Sequence, residues 1–182
     1  MPLYLTSAHN RAVTLPELLA SRDARQARQQ AWLAQYALPQ ISFTTIAPGP
    51  LKDSELTRRI FNHGLRALRE LLAASAWEIK RQSCLGLATG AEGLLAVDAP
   101  AQALKQAAIT LEQLHPLGRL WDIDVLTAQG EILSRTALAL PARRCLLCDN
   151  DARICARERA HPLADLLRRM EVMLHEADDV HA

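Results

Sequence analysis

Two aspartates separated by one residue are the sharpest chemical signal in the chain. Asp122 and Asp124 lie in the block H-P-L-G-R-L-W-D-I-D-V-L at residues 115–126, where polar and apolar residues alternate. Successive side chains of a strand point to opposite faces, so a strand here places both carboxylates on one face. Paired carboxylates stay ionised beside a cation, and their hard oxygens suit Mg²⁺ with substrate phosphates. The pattern predicts a Mg²⁺ site for phosphoryl or nucleotidyl transfer, with two solvated surface aspartates as the alternative.

Basic residues elsewhere are candidates to bind the phosphates of such a substrate. Of the 21 Lys and Arg residues, 18 are Arg. The planar guanidinium of Arg can bind phosphate with two hydrogen bonds. The codon usage of a GC-rich genome also favours Arg and is the alternative explanation. Arg119, three residues before Asp122, is assigned a catalytic role with the aspartates; simple pairing with them is the alternative. The remaining phosphate-binding candidates are Arg22, Arg25, Lys52, Arg58, His63 and His115. A helix C-cap is the alternative for His115, and an ordinary turn beside a solvated helix is the alternative for the loop around Lys52.

Three of the four cysteines cluster near the C-terminus and are followed by a histidine. Cys145, Cys148, Cys155 and His161 form the pattern C-x2-C-x6-C-x5-H. These are the ligands of a Cys₃His zinc site, although the spacing matches no standard zinc finger closely. A reduced cluster without metal is the alternative. Four cysteines in 182 residues, three of them clustered, are not typical of a secreted disulfide framework.

Composition and charge exclude several classes of function. With 49% hydrophobic residues, 23% charged residues and a net charge of +1, the chain can bury a core and is not built for nonspecific nucleic-acid binding. No apolar run approaches the roughly 20 residues of a membrane span, and residues 1–11 lack a secretory signal. We therefore expect a cytoplasmic protein. Residues 82–141 carry a net charge of −3, whereas residues 52–81 and 142–169 each carry +3, which predicts an acidic metal centre flanked by basic segments.

The elements that must position these residues follow a recognisable order. The predicted helices and strands are a helix at 14–35 with Thr14 as N-cap, a strand at 40–47, a helix at 54–74 with Ser54 as N-cap and Thr57 in place of the usual acid, strands at 77–88 and 94–97 around a turn at 89–93, a helix at 100–114, and a strand at 119–127 followed by an added short strand from 131. Omitting the first helix and the added strand, this is the β-α-β-β-α-β pattern of a ferredoxin-like α+β fold.

We predict a single domain with three parts: an Arg-bearing helix at 14–35, a catalytic α+β core at 40–140, and a Cys-containing extension at 141–182 with a helix at 162–176. A polymerase-beta-type nucleotidyltransferase fold is the alternative. It ranks second because the Gly-Ser helix start that normally precedes the paired aspartates of that fold is missing before Asp122.

Five blocks, in this order along the chain, together resemble one known family. They are S-R-D-A-R-Q-A-R-Q (21–29), A-P-G-P-L-K-D (47–53), T-R-R-I-F-N-H-G (57–64), H-P-L-G-R-L-W-D-I-D-V-L (115–126) and R-R-C-L-L-C (143–148). The chain resembles the apo-citrate lyase phosphoribosyl-dephospho-CoA transferases from about Arg11 to Met170. The strand from Arg119 to Asp124 is also similar to the Arg-x-x-Asp-x-Asp-type strand of hydroxymethyl-dihydropterin pyrophosphokinase, which is a likeness of fold only.

The resemblance implies a reaction and its partners. Such an enzyme transfers the phosphoribosyl-dephospho-CoA group of 2′-(5″-triphosphoribosyl)-3′-dephospho-CoA to a serine of the citrate lyase acyl carrier protein (the gamma chain), and pyrophosphate leaves. The attacking serine then belongs to the partner, in keeping with the lack of an internal nucleophile. The general base stays open, and so does a third carboxylate for the metal, for which Asp53, Glu55 and Glu131 are the candidates. The alternatives are another Mg²⁺-dependent pyrophosphokinase or nucleotidyltransferase, and a non-enzymatic assembly factor that binds the carrier protein.

Overall fold

A four-stranded antiparallel sheet organises the N-terminal part of the chain. The computed structural model describes residues 5–6, 8–134 and 141–180. It divides the chain into two compact units, Met1–Leu133 and Ser134–Ala182. The elements of the first unit are α1 (Leu15–Tyr36), β1 (Gln40–Thr45), α2 (Glu55–Ala74), β2 (Glu78–Leu87), β3 (Gly90–Asp98), α3 (Ala101–Leu114), a short 3₁₀ turn (Gly118–Leu120) and β4 (Trp121–Leu126). The strands lie in the order β2-β3-β1-β4, with every neighbouring pair antiparallel.

One face of the sheet carries the core. Phe43 of β1 stacks on Phe61 of α2 with ring centroids 4.9 Å apart, and the indole nitrogen of Trp121 in β4 donates to the backbone oxygen of Ile60. The residues of β4 that alternate with the aspartates, Ile123 and Val125, are fully buried. The period-two pattern of the sequence therefore does separate an apolar face from the face that carries the aspartates.

Capping residues set where the first two helices begin, as predicted. The hydroxyl of Thr14 accepts from the backbone of Glu17, whose carboxylate accepts from the Thr14 backbone, so α1 begins with a full capping box. Ser54 and Thr57 do the same for α2, with Thr57 in place of the usual acid. Gly64, unusual inside a helix, lies where an added Cβ would stand 2.4 Å from the Phe43 ring, so close approach of a strand explains it.

Three details of the first unit differ from the predictions. The turn placed at 89–93 is much shorter: Leu87 pairs with Gly90, and β3 begins there because Gly90 adopts a positive φ of 114° that closes the hairpin. The strand predicted from residue 119 begins at Trp121, after a 3₁₀ turn. The added strand is one bridge between Leu126 and Ile132, which is too short a pairing to form a strand.

Among its described residues, the second unit contains a hairpin-like loop and two helices. Arg144 and Asp151 form an antiparallel bridge, and α4 (Ala152–Glu158) begins directly after it with Asp151 as its N-cap. The helix predicted at 162–176 is present as α5 (Leu163–Val180). The end of the predicted core at residue 140 lies outside the described residues. Among the described helices of both units, none combines the length and the apolar character needed to cross a membrane.

Candidate active site

The two aspartates occupy the face of β4 that points away from the core. Asp122 is exposed and Asp124 is half-buried. In the register of the sheet, Asp122 lies opposite Thr44 of β1 and Asp124 lies opposite Ser42, and paired residues share a face. The two carboxylates are thus accompanied by two hydroxyls on the neighbouring strand. This set of hard oxygen donors fits Mg²⁺ and does not fit a thiophilic metal.

Helix α1 lies across the same face of the sheet. Its Ser21 hydroxyl is 2.7 Å from the Thr89 hydroxyl at the β2–β3 turn. Further along the helix, Arg28 bonds to the carboxylate of Glu92 in β3, and the Nε atom of Arg25 lies 3.7 Å from the same carboxylate. The helical spacing of its arginines therefore brings Arg25 and Arg28 down onto the sheet.

A cavity of about 190 Å³ lies between α1, the end of β1 and the β2–β3 turn. Three of the predicted phosphate-binding cations, Arg22, Arg25 and Lys52, line it. Four residues that carry hydroxyls also line the cavity: Ser21, Thr44, Thr45 and Thr89. Thr44 of β1 lines the cavity and pairs with Asp122 of β4. The cavity therefore borders β1, the strand next to the one that carries the aspartates.

Lys52 has an unusual environment within this cavity. Its ammonium group donates to the backbone oxygen of Ala47 at 2.6 Å, which folds the Gly/Pro loop back on itself. Burial, and then the positive charge of Arg22, lower the pKa of Lys52 from its usual range. A bound anion would relieve this repulsion, so the cavity is suited to a group with several negative charges.

Other predicted site residues lie elsewhere in the first unit. Arg58 is buried, and its guanidinium binds both carboxylate oxygens of Asp53, with the Nη2–Oδ2 distance at 2.8 Å. Burial alone would raise the pKa of Asp53, but hydrogen bonds from Arg58 and His9 outweigh it and lower that pKa. Arg58 also lies against Gly86, where an added Cβ would stand 2.6 Å from its Nη1 atom. The structure thus places Arg58 in a buried ion pair away from the cavity.

The two predicted histidines and Arg119 are also outside the cavity lining. His115 is the C-cap of α3, its Nδ1 atom accepts from the backbone of Leu117, and its ring packs on Trp121 at 4.4 Å. His63 is half-buried on α2, the helix that covers the core face of the sheet. Arg119 lies in the 3₁₀ turn, two residues before β4 begins. The capping interpretation of His115 is therefore confirmed.

Glu92 is the site residue that sequence reasoning missed. It is buried in β3, holds Arg25 and Arg28, and lines the cavity. The sequence pattern predicted a turn at residues 89–93, and a residue in a turn is not assigned to either face of the sheet. Glu92 was therefore not predicted to lie beside the aspartates. A tighter hairpin would have placed this lone acid on a strand opposite β1, on the face of the aspartates.

In the second unit, the predicted zinc ligands do come together. The ligand atoms of Cys145, Cys148, Cys155 and His161 all lie within 4.8 Å of one another. The Sγ atom of Cys148 is 3.5 Å from that of Cys155 and 3.3 Å from the Nε2 atom of His161. Two of the cysteines come from the loop closed by the 144–151 bridge, and Cys155 comes from the first turn of α4. This arrangement can hold a metal ion.

Two thiols of this cluster, Cys145 and Cys155, have pKa values that lie far apart. Burial alone would raise the pKa of Cys145, but the backbone N–H groups of Leu147 and Cys148, together with the neighbouring thiols, lower it to about 7. Burial and the other two thiols raise the pKa of Cys155 to about 12. Backbone N–H groups aimed at a cysteine sulfur favour the thiolate, which is the form that binds metal.

Comparison with known proteins decides the family. The model of the apo-citrate lyase phosphoribosyl-dephospho-CoA transferase family matches residues 13–177. The chain belongs to this family. A relative with that name from Citrobacter koseri is 58% identical over 181 residues, covering 100% of this chain and 99% of the relative. Relatives with the same name from Escherichia coli O6:K15:H31 and Shigella boydii serotype 18 are each 59% identical over 171 residues, covering 94% of this chain and 93% of the relative.

The match to the apo-citrate lyase phosphoribosyl-dephospho-CoA transferase family covers every feature of the candidate site. Residues 13–177 include α1 with its arginines, the sheet with Asp122 and Asp124, and the Cys₃His cluster. Both compact units thus belong to the family match.

Proposed function

We propose that the chain transfers the phosphoribosyl-dephospho-CoA group from 2′-(5″-triphosphoribosyl)-3′-dephospho-CoA to a serine of the acyl carrier protein (gamma chain) of apo-citrate lyase. Membership of the transferase family along nearly the whole chain carries this proposal. The cavity lined by Arg22, Arg25 and Lys52, one strand from Asp122, supports it because a triphosphate needs several cations.

The reaction divides between the chain and its partner. The serine oxygen of the carrier protein bonds to the phosphorus nearest the ribose, the bridging P–O bond to the next phosphorus breaks, and pyrophosphate leaves with that oxygen. The serine gives up its proton in the same step, and the leaving pyrophosphate or solvent takes it up. Arg22, Arg25 and Lys52 hold the phosphates in line and stabilise the charge that develops on the leaving pyrophosphate. Arg119, two residues before β4 begins, is proposed as a further catalytic contact. His63, His115 and Arg58 lie outside the cavity lining, and phosphate binding by them stays a prediction.

We propose Mg²⁺ as the metal of the aspartate pair. Asp122 and Asp124 would hold it, with the hydroxyls of Ser42 and Thr44 beside them on β1. When bound, Mg²⁺ supplies charge neutralisation for the phosphates. Among the further carboxylates considered for this metal, Asp53 is already bonded to Arg58 and His9, which argues against it.

We propose that the Cys₃His cluster binds Zn²⁺ in a structural role. Four ligands without an open position are typical of structural zinc, whereas catalytic zinc keeps a site for water. Thiolate ligation requires reduced cysteines, so a cytoplasmic location accompanies this proposal.

We propose that the first unit is a ferredoxin-like fold and that both units serve one reaction. The succession β1-α2-β2-β3-α3-β4 and the strand order β2-β3-β1-β4 support the fold. The family match from residue 13 to 177 supports a shared function, because it spans both units.

A mass measurement tests the proposed reaction directly. The protein is mixed with Mg²⁺, the triphosphoribosyl precursor and apo carrier protein, and the carrier is weighed by intact-protein mass spectrometry. We expect the carrier to gain one phosphoribosyl-dephospho-CoA group, and pyrophosphate to be released from the precursor in equal amount. A carrier whose target serine is replaced by alanine serves as the control. No mass gain of the carrier, together with pyrophosphoryl transfer to another acceptor, would contradict this proposal and indicate a pyrophosphokinase. Binding of the carrier protein without any transfer would indicate an assembly factor.

The lowered pKa of Lys52 predicts how substrate binding depends on pH. A triphosphate favours the charged ammonium, so KM for the precursor should rise as pH increases through the pKa of Lys52, below the usual range of lysine. Lys52→Met should raise KM by about 10- to 100-fold at neutral pH and remove that pH dependence. Lys80→Met, at an exposed ion pair on β2, is the matched control and should behave as the unmodified protein. A KM of the unmodified protein that stays constant from neutral to alkaline pH would contradict this role.

A further inference from the structure

The outer edge of β4 is held in an unusual way. β4 is the last strand of the sheet, so β1 satisfies its backbone on one side only. On the other side, the backbone N–H of Leu133 donates to the oxygen of Val125, which covers the end of the strand. At Ile123, between the two aspartates, the partners are side chains of α3. An edge strand needs partners for its outward N–H and C=O groups, and at Ile123 two charged side chains of one helix supply both.

Lys105 and Glu112 are those side chains. The ammonium of Lys105 donates to the backbone oxygen of Ile123 at 3.0 Å, and the backbone N–H of Ile123 donates to the Oε1 atom of Glu112 at 3.1 Å. Lys105 is 3% exposed and Glu112 is 5% exposed. They are seven residues apart on α3, so two helical turns place them on the same side of the helix.

These two bonds act on the peptide groups that carry the aspartates. The N–H of Ile123 belongs to the peptide plane that begins at Asp122, and its C=O belongs to the plane that ends at Asp124. Glu112 therefore fixes the plane after the first aspartate, and Lys105 fixes the plane before the second. Together they restrict the backbone rotations that set the angle and separation of the two carboxylates.

Burial of two charges is a costly way to cover a strand edge. An apolar side chain would fill the same space without desolvating an ammonium or a carboxylate. On β4, the two buried charged groups bond to Ile123, the one residue that lies between the two aspartates.

We propose that Lys105 and Glu112 are positioning residues, which set the spacing of Asp122 and Asp124 for a divalent cation through the backbone of Ile123. This inference rests on the proposed function of the aspartate pair. Groups that orient metal ligands commonly contribute 10-fold to 100-fold in metal affinity or activity.

Binding of Mn²⁺ to the full-length protein without substrate tests the proposal. Mn²⁺ stands in for Mg²⁺, and its free concentration is read by electron paramagnetic resonance. We expect Glu112→Leu and Lys105→Met to weaken Mn²⁺ binding by about 10-fold or more, and to raise the Mg²⁺ concentration for half-maximal transfer in parallel. KM for the carrier protein should not change. Glu112→Gln, whose amide oxygen can still accept from Ile123, should recover most of the affinity.

Leu72→Ala separates positioning from general stability. Leu72 is buried on α2, and its truncation leaves a cavity in the core without altering β4. We expect this control to lower the melting temperature and to leave Mn²⁺ affinity unchanged. The proposal is overturned when the control weakens Mn²⁺ binding as much as the α3 variants, or when both α3 variants bind Mn²⁺ normally. Should Glu112→Leu not fold, Lys105→Met carries the comparison alone, and normal Mn²⁺ binding by Lys105→Met then overturns the proposal.

Variants of the aspartates distinguish the metal site itself from the positioning role of Lys105 and Glu112. Normal Mn²⁺ binding and transfer by Asp122→Asn and Asp124→Asn would remove the proposed metal site itself. Loss of both in the aspartate variants, with normal behaviour of the α3 variants, would remove only the positioning role of Lys105 and Glu112.

Discussion

Replacement of Asp122 or Asp124 by asparagine is expected to reduce the rate of transfer by about 10²- to 10³-fold or more. Asparagine keeps the size of the side chain and one oxygen, but it removes the negative charge that would hold a divalent cation between the aspartates and the phosphates. Both positions lie on the face of β4 away from the core, so the fold should survive each change. The measurement is the initial rate of carrier modification at saturating substrates, with circular dichroism to verify folding.

The control for this experiment lies on the same sheet. Asp98 is exposed at the end of β3, near Lys80, and Asp98→Asn changes the net charge by the same amount. We expect Asp98→Asn to retain nearly full activity. Full activity in Asp122→Asn and Asp124→Asn would show that the pair is a solvated surface feature, which is the alternative considered from the sequence. An equal loss in all three variants would assign the effect to overall charge.

Replacement of Cys148 by serine is expected to release the metal and to unfold the segment around α4. The binding free energy of structural zinc is about 10 kcal/mol or more in small domains, where it acts as folding free energy. The second unit contains two helices and one bridge among its described residues, so most of this free energy is expected to hold the loop and α4 together. Elemental analysis should give one zinc per chain before the change and none after it. Hydrogen exchange in residues 152–158 should become fast.

Cys84 offers the matched control for the cluster. It is half-buried on β2, outside the Cys₃His group, and burial raises the pKa of its thiol. Cys84→Ser should retain the zinc and the slow exchange of α4. Metal affinity should also fall as pH drops below about 7, because protons then compete for the Cys145 thiolate, whose pKa is about 7. Freshly purified, reduced protein without stoichiometric zinc would contradict the zinc assignment.

Much of the local structure follows from short-range patterns. The N-cap residues Thr14 and Ser54 predicted the starts of α1 and α2, because a cap depends on residues no more than three positions apart. Alternation around Ile123 predicted the two faces of β4. Where one residue decides the geometry, the patterns were less accurate. The β2–β3 turn is shorter than predicted, because Gly90 adopts a positive φ. A strand was predicted to begin at residue 119, but that residue lies in a 3₁₀ turn.

The sequence by itself determined the residue types of the site: an Asp-x-Asp strand, an excess of arginine, and a compact Cys₃His pattern. The tertiary structure alone decided which cations meet. Arg22, Arg25 and Lys52 converge on one cavity, whereas Arg58, equally plausible in the sequence, is bonded to Asp53. Helical spacing tells which side chains share a helix face, but it does not tell which face of the sheet that helix covers. The contacts of Glu92 with α1, and of Lys105 and Glu112 with β4, depend on that long-range packing.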